Sequence, residues 1–417
     1  MHLDDPTLPA ATALTTTAAD LLGPAVVAAG GTLHRACCVG VHYLPGRELV
    51  ARYDCDVTWP TGRTRDTLLA ATTTNGPLEG TVPVTAETPD ATLRAGVWRW
   101  PFDPVVVGLP IATTPTALAG HLRPVTGGGA VRVQVVAYRP TERAVVRVTD
   151  EQERTFYLKA VPPGQVESMT VRHAAMRRAG VPAPEILQAD ERNGLLLLEA
   201  MPGATLRERI KSGRGAWPRP EALTDLLAAI DSAIAGPMLP PARASRTRDA
   251  LAHTRLLAAT VPDAADELDA LRSRLQDSVT AVEQRSGTVI HGDLQEAQLL
   301  VDHDGAITGI IDLDDVGPGD PLDDPAVLLG HLEYRALTGE PATAELLRPR
   351  IRELTDHFAS IHGGSELELA IAAVLTGLAT GPFRSQSPQW RELTATVIGA
   401  ATRHMANAGR PRAPSAC

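Results

Sequence analysis

The chain has 417 residues, too many for one ordinary domain and enough for several units that each bury a core. Its 39 Lys+Arg against 49 Asp+Glu leave a net charge of −10, without the basic footprint that a nucleic-acid backbone or an anionic membrane surface requires. Apolar residues at 44% and charged residues at 21% are globular proportions, which excludes wholesale disorder.

The first residues, MHLDDPTLPAATALTTT, carry acids where a secretory signal carries basic residues, and no apolar run reads as the roughly 18 residues of a membrane span. Cys37, Cys38, Cys55 and Cys417 show no CxxC or CxxH spacing, so reduced thiols in a cytoplasmic protein are expected. Residues 1–125 alternate short Val/Leu runs with Pro, Gly and Thr breaks before the Gly127-Gly128-Gly129 linker, which predicts an N-terminal accessory domain, α/β or β-rich. From Ala130 the runs VRVQVVAY, AVVRV and FYLKAV are strands of an antiparallel meander. VESMTVRHAAMRRAG then predicts a helix ending at Gly180, and GLLLLEAMPGATL a buried strand entering a Pro-Gly turn. These elements make a second unit at 126–202. The rest, 203–417, reads as mainly helical, with Leu268, Leu271, Leu275, Val279 and Val282 on one helix face.

An internal similarity relates the first two units. Tyr43, Pro45, Val50 and Arg52 recur 95 residues later as Tyr138, Pro140, Val145 and Arg147. The accessory domain is then either a degenerate copy of the later meander or an unrelated hairpin sharing a Pro turn.

Only two lysines, Lys159 and Lys211, stand beside 37 arginines. A lysine kept against that bias is a candidate for chemistry that a planar guanidinium cannot perform. Lys159 lies in the third meander strand.

The segment Val289-Ile290-His291-Gly292-Asp293-Leu294-Gln295-Glu296-Ala297-Gln298, followed by Ile311-Asp312 after a DHDG turn, brings two acids and an amide to the end of a small sheet. Phosphoryl transfer from ATP needs such a set: one carboxylate for the attacking hydroxyl and oxygen ligands for Mg²⁺. No GxxxxGK[ST] or HExxH motif offers a P-loop or zinc alternative, and the acid run from Asp312 lacks the spacing of a calcium loop.

At these motifs the sequence resembles the aminoglycoside phosphotransferase and choline kinase branch of the protein-kinase-like superfamily. The catalytic loop there reads H-G-D-x-x-x-x-N and the metal loop I-D-x-x-x-x-G-x-G-D-P-x-x-D-x-A; Ile311 to Ala326, IDLDDVGPGDPLDDPA, matches the second throughout. The resemblance implies an α+β, bilobal protein-kinase-like fold, with a small antiparallel-sheet N-lobe and a mainly helical C-lobe behind the extra N-terminal domain. It implies Asp293 as catalytic base, with His291 in the catalytic set shaping its loop, and Gln298 and Asp312 as metal ligands. Gln298 stands where most of the family has Asn, as in a maltokinase-like branch. For the nucleotide it implies Lys159 on the phosphates paired with Glu167, Arg139 and Arg143 in the loop above them, and the Glu199 carbonyl and Met201 amide against adenine.

The expected activity is an ATP- and Mg²⁺-dependent O-kinase acting on a small-molecule hydroxyl, with no nucleic-acid or membrane partner. The alternatives are a maltokinase-type sugar kinase and a non-catalytic nucleotide-binding scaffold. Glu333, Asp356, Glu366 and Glu368 either suit a cationic acceptor or are solvated helix faces.

Overall fold

The computed structural model describes residues 14–16, 18–87, 92–213, 215–233, 239, 245–285 and 287–409; Cys417 lies outside them. A helix, Ala18–Ala28, packs on a first antiparallel sheet of β1 (Thr32–Leu44), β2 (Glu48–Trp59), β3 (Gly62–Thr73), β4 (Val82–Glu87) and β5 (Thr92–Arg99), in the order β1-β2-β3-β5-β4. Along β2 the two-residue period puts Tyr53, Cys55 and Val57 inside against Leu21, Leu22 and Val26, while Arg52, Asp54 and Asp56 take the other face. Cys37, Cys38 and Cys55 are free thiols on these strands.

A second antiparallel sheet follows: β6 (Arg132–Arg139), β7 (Arg143–Thr149), β8 (Thr155–Ala160), β9 (Ile186–Asp190) and β10 (Leu195–Glu199), in the order β6-β7-β8-β10-β9. That succession repeats the first, and the two matched stretches form the leading hairpin of each sheet. The second sheet alone inserts a helix, Val166–Arg178, between its third and fourth strands. The segment ahead of it packs Leu109, Ala112, Leu118 and Leu122 against Val146, Val148 and Leu158, so it belongs to this sheet's core. This segment precedes the boundary expected at 125.

The remaining chain is mainly helical, interrupted by short strand pairs that carry the catalytic and metal loops. In Ala265–Arg285 the expected stripe holds at Leu268, Leu271, Leu275 and Val282, with Ser278 buried where Val279 was expected. One stretch, Gly364–Arg384, is long and apolar enough to cross a membrane, contrary to the sequence expectation. Leu367, Ile371, Ala372 and Leu375 of that stretch lie in the helical core, which accounts for its apolar run without a bilayer.

The accessory sheet touches both lobes. Its core takes in Leu256 and Phe383 from the helical lobe, and the Tyr43 ring meets His253 edge-on at 6.0 Å. Trp100 packs edge-on against Tyr138 at 4.6 Å, and Glu48 accepts a hydrogen bond from Thr141 at the turn between β6 and β7.

Glu333 and Glu368 are not free to meet a cationic acceptor, because they clamp the His404 ring at 2.7 and 2.6 Å. Burial opposes the charge on His404, but the two carboxylates outweigh it and raise its pKa to about 9. The folded value exceeds the unfolded one, so this stability is complete below about pH 6.5 and is lost as pH rises through 9. The gap corresponds to roughly 3 kcal/mol. Thermal denaturation at pH 7 and pH 10 should show wild type losing more stability than His404→Gln; equal losses would remove the clamp from the account.

Candidate active site

Lys159 sits on β8, an internal strand flanked by Val145 of β7 and Leu196 of β10, and is only 4% exposed. Its ammonium lies 2.7 Å from Asp312 Oδ1 and 2.5 Å from Asp314 Oδ1. Arg143, at the start of β7, reaches the other oxygen of each acid, with 2.7 Å from Nη2 to Asp312 and 2.7 Å from Nη1 to Asp314. Two cations thus bridge two carboxylates across the lobes. Burial disfavours the charged form of Asp312, but Lys159 and Arg143 overcome this and hold its carboxyl far below the usual range. Asp312 also adopts φ 67°, a left-handed conformation that is uncommon for a non-glycine residue and recurs at functional sites.

Gln298 lies beside this quartet, its Nε2 3.5 Å from Asp312 Oδ2. Its Oε1 is buried with no hydrogen-bond partner among the described residues. An orphaned amide oxygen next to a carboxylate is a donor set that suits a hard divalent cation.

The loop carrying Asp293 is fixed from below. Asp324 accepts from the backbone N–H groups of His291 at 2.7 Å and Gly292 at 2.9 Å. Gly292 has φ 83°, and a Cβ there would stand 2.6 Å from the Asp315 carbonyl, so only glycine fits. His291 is fully buried; its Nε2 meets the Ile311 carbonyl at 3.1 Å and its Nδ1 accepts from the Asp293 N–H at 3.3 Å. Both ring nitrogens are spent on backbone. His291 thus ties the Asp293 loop to the strand before Asp312, as a residue that shapes that loop would.

One correction concerns Glu167. It lies exposed on the first turn of Val166–Arg178 and forms no salt bridge to Lys159. That helix instead turns Arg172 inward, where its Nε donates to the Val316 carbonyl at 2.7 Å. The acids facing Lys159 come from the metal loop.

The hinge residues follow β10. Glu199 spends its carboxylate on the Glu185 N–H and on Arg177, while the backbone N–H of Met201 has no protein acceptor among the described residues. The Met201 side chain covers Gly309, whose added Cβ would meet it at 2.9 Å. Arg139, opposite Arg143 in the hairpin register, makes no side-chain hydrogen bond or ion pair to the described residues.

Two site residues were not identified from sequence. Asp314 takes half of both cations, and its only signal was its place inside the IDLDD run. Arg246, at the start of helix Arg246–Thr260, donates to the Gly292 carbonyl and to Asp293 Oδ1, the latter at 3.1 Å. It was one arginine among 37 in a stretch without a motif. Burial pushes the Asp293 carboxyl up, but Arg246 reverses the balance and keeps it ionised, below its ordinary value. Asp293 opens on a cavity of about 170 Å³ bounded by Arg139, Arg246, His331 and Val374, with His42 from the accessory sheet closing one side.

A β-sheet lobe and a helical lobe meeting at an ion quartet, with an ionised aspartate beside it, define a phosphotransferase of kinase-like build. The profile of the phosphotransferase enzyme family matches residues 139–363, more than half of the chain, and the chain belongs to that family. It is an enzyme, a phosphotransferase.

Among solved structures, a thermostable mutant of an aminoglycoside phosphotransferase in its apo form is 17% identical, with TM-score 0.48, covering 70% of this chain and 100% of the other. An aminoglycoside phosphotransferase of Streptomyces rimosus, solved with ADP and streptomycin, is 17% identical with TM-score 0.42, over 69% of this chain and 98% of the other. A choline/ethanolamine kinase family protein of Mesorhizobium loti is 16% identical with TM-score 0.45, over 73% and 94%. No curated protein matches the chain by sequence.

Proposed function

We propose that the chain transfers the γ-phosphoryl group of ATP to a small-molecule hydroxyl held against Asp293, in the cytoplasm, where its free thiols stay reduced. The observation that carries this reading is the quartet of Lys159, Arg143, Asp312 and Asp314. Its two cations suit the oxygens of a triphosphate, and its acids are then released for the accompanying metal. The Met201 N–H and the Glu199 carbonyl suit the adenine edge. Mg²⁺, held by Asp312 and Gln298 Oε1, would neutralise charge on the phosphates.

Asp293 accepts the hydroxyl proton and aims the oxygen. Arg246 makes it a weak base, which suffices because phosphoryl transfer is loose and demands positioning more than deprotonation. The scaffold alternative is disfavoured because the quartet and Asp293 keep every charge the reaction uses. A maltokinase-type sugar acceptor rests on Gln298 alone.

MgATP should raise the melting temperature of the full chain at millimolar concentration by mass action, and EDTA should reverse the shift. Folded protein that ignores MgATP would return the scaffold reading.

A further inference from the structure

Beside the acceptor cavity, where the accessory sheet, the β6–β7 turn and the short helix Gly381–Arg384 converge, lies an open pocket of about 460 Å³. Arg52, Arg139 and Arg384 line it together with His42 and Ser385, and among the described residues no carboxylate does. In a chain of net charge −10 this is an unusual local composition.

Neither the Arg52 nor the Arg139 side chain makes a hydrogen bond or ion pair to the described residues, although both are half-buried. Arg384 reaches His42 Nδ1 at 3.5 Å, while His42 Nε2 stands 2.9 Å from Glu142. Glu142 lines the acceptor cavity and not this pocket. By contrast, Asp249 and Asp293 at the acceptor cavity have Arg246 as a cationic partner, and Glu142 there stands against the His42 ring. Charge complementarity in this part of the molecule therefore lies with an anion.

We propose that this pocket is an anion-recognition subsite, taking a phosphate or carboxylate group carried by the acceptor. Resting on the kinase reading above, the proposal names its substrate class: a small hydroxylated acid or phosphate ester. His42, Arg139 and Arg384 line both cavities, so one molecule can set its anionic group among the arginines and its hydroxyl toward Asp293. Guanidinium groups pair with such oxyanions through two parallel hydrogen bonds, and each pair desolvated in a pocket changes affinity by roughly ten-fold or more. A polycationic acceptor would bring its charges against these arginines. The accessory domain then has a chemical task, since Arg52 and His42 both come from its first hairpin.

The test is calorimetry on the full chain with inorganic phosphate, glycerol 3-phosphate, glucose 6-phosphate and glycerate, each organic anion beside its neutral parent. At least one organic anion should bind about ten-fold more tightly than both its parent and inorganic phosphate. Arg52→Gln and Arg384→Gln should each remove that difference, while Lys159→Gln, at the nucleotide phosphates, should keep it. No phosphate binding by wild type, or binding lost in Lys159→Gln and kept in the arginine variants, overturns the subsite. Organic anions binding no better than inorganic phosphate would show a free-anion site and overturn the assignment to the acceptor. MgATP thermal shifts on the same preparations read the nucleotide site separately, so failure of one reading is not mistaken for failure of the other.

Discussion

Asp293→Asn should lower turnover about 10²- to 10⁴-fold, the usual cost of removing a positioned acid or base. MgATP affinity should stay close to wild type, because Asp293 pairs with Arg246 and Gln295 and not with the Lys159–Arg143 quartet. The substitution keeps the side chain's shape and one oxygen for Arg246, so circular dichroism should be unchanged. Single-turnover kinetics with nucleotide titration on one preparation separates the two effects. If the variant lost nucleotide binding and kept its chemical rate, Asp293 would belong to the phosphate site.

Asp312→Asn should do the reverse. It removes an anionic oxygen from the ligand set that Gln298 completes, and a hard cation depends on charge as well as geometry. Mg²⁺-dependent nucleotide affinity should fall roughly 10- to 100-fold, and turnover with it. The fold should survive, since Lys159 and Arg143 each retain Asp314. Titration of nucleotide with and without Mg²⁺ decides the matter: equal affinities for variant and wild type in the presence of Mg²⁺ would take Asp312 out of the metal site.

Much of this site was legible because its residues are spaced by local structure. His291, Asp293 and Gln298 share one loop, and Asp312 follows the next strand, so a single stretch of sequence carries the geometry. Lys159 was legible for a different reason, its rarity. What escaped depends on packing between distant elements. Glu167 was the only acid in its segment, yet the helix rotates Arg172 and His173 inward and leaves Glu167 in water. Arg246 contacts residues 46 and 47 positions further along the chain, and no local pattern marks such a partner. The same holds for the accessory domain: its strands alternate clearly, but its place against Leu256 and Phe383 has no trace in its own sequence.

That place has a mechanical consequence. The accessory sheet grips the β6–β7 turn through Glu48 and the helical lobe through Leu256 and Phe383. Swinging the lobes apart at the hinge would pull large apolar side chains from a shared core, at about 2–5 kcal/mol for each one exposed. The cleft is thus braced where the accessory sheet spans both lobes, and opening it there costs more than opening it elsewhere would if no such core were shared.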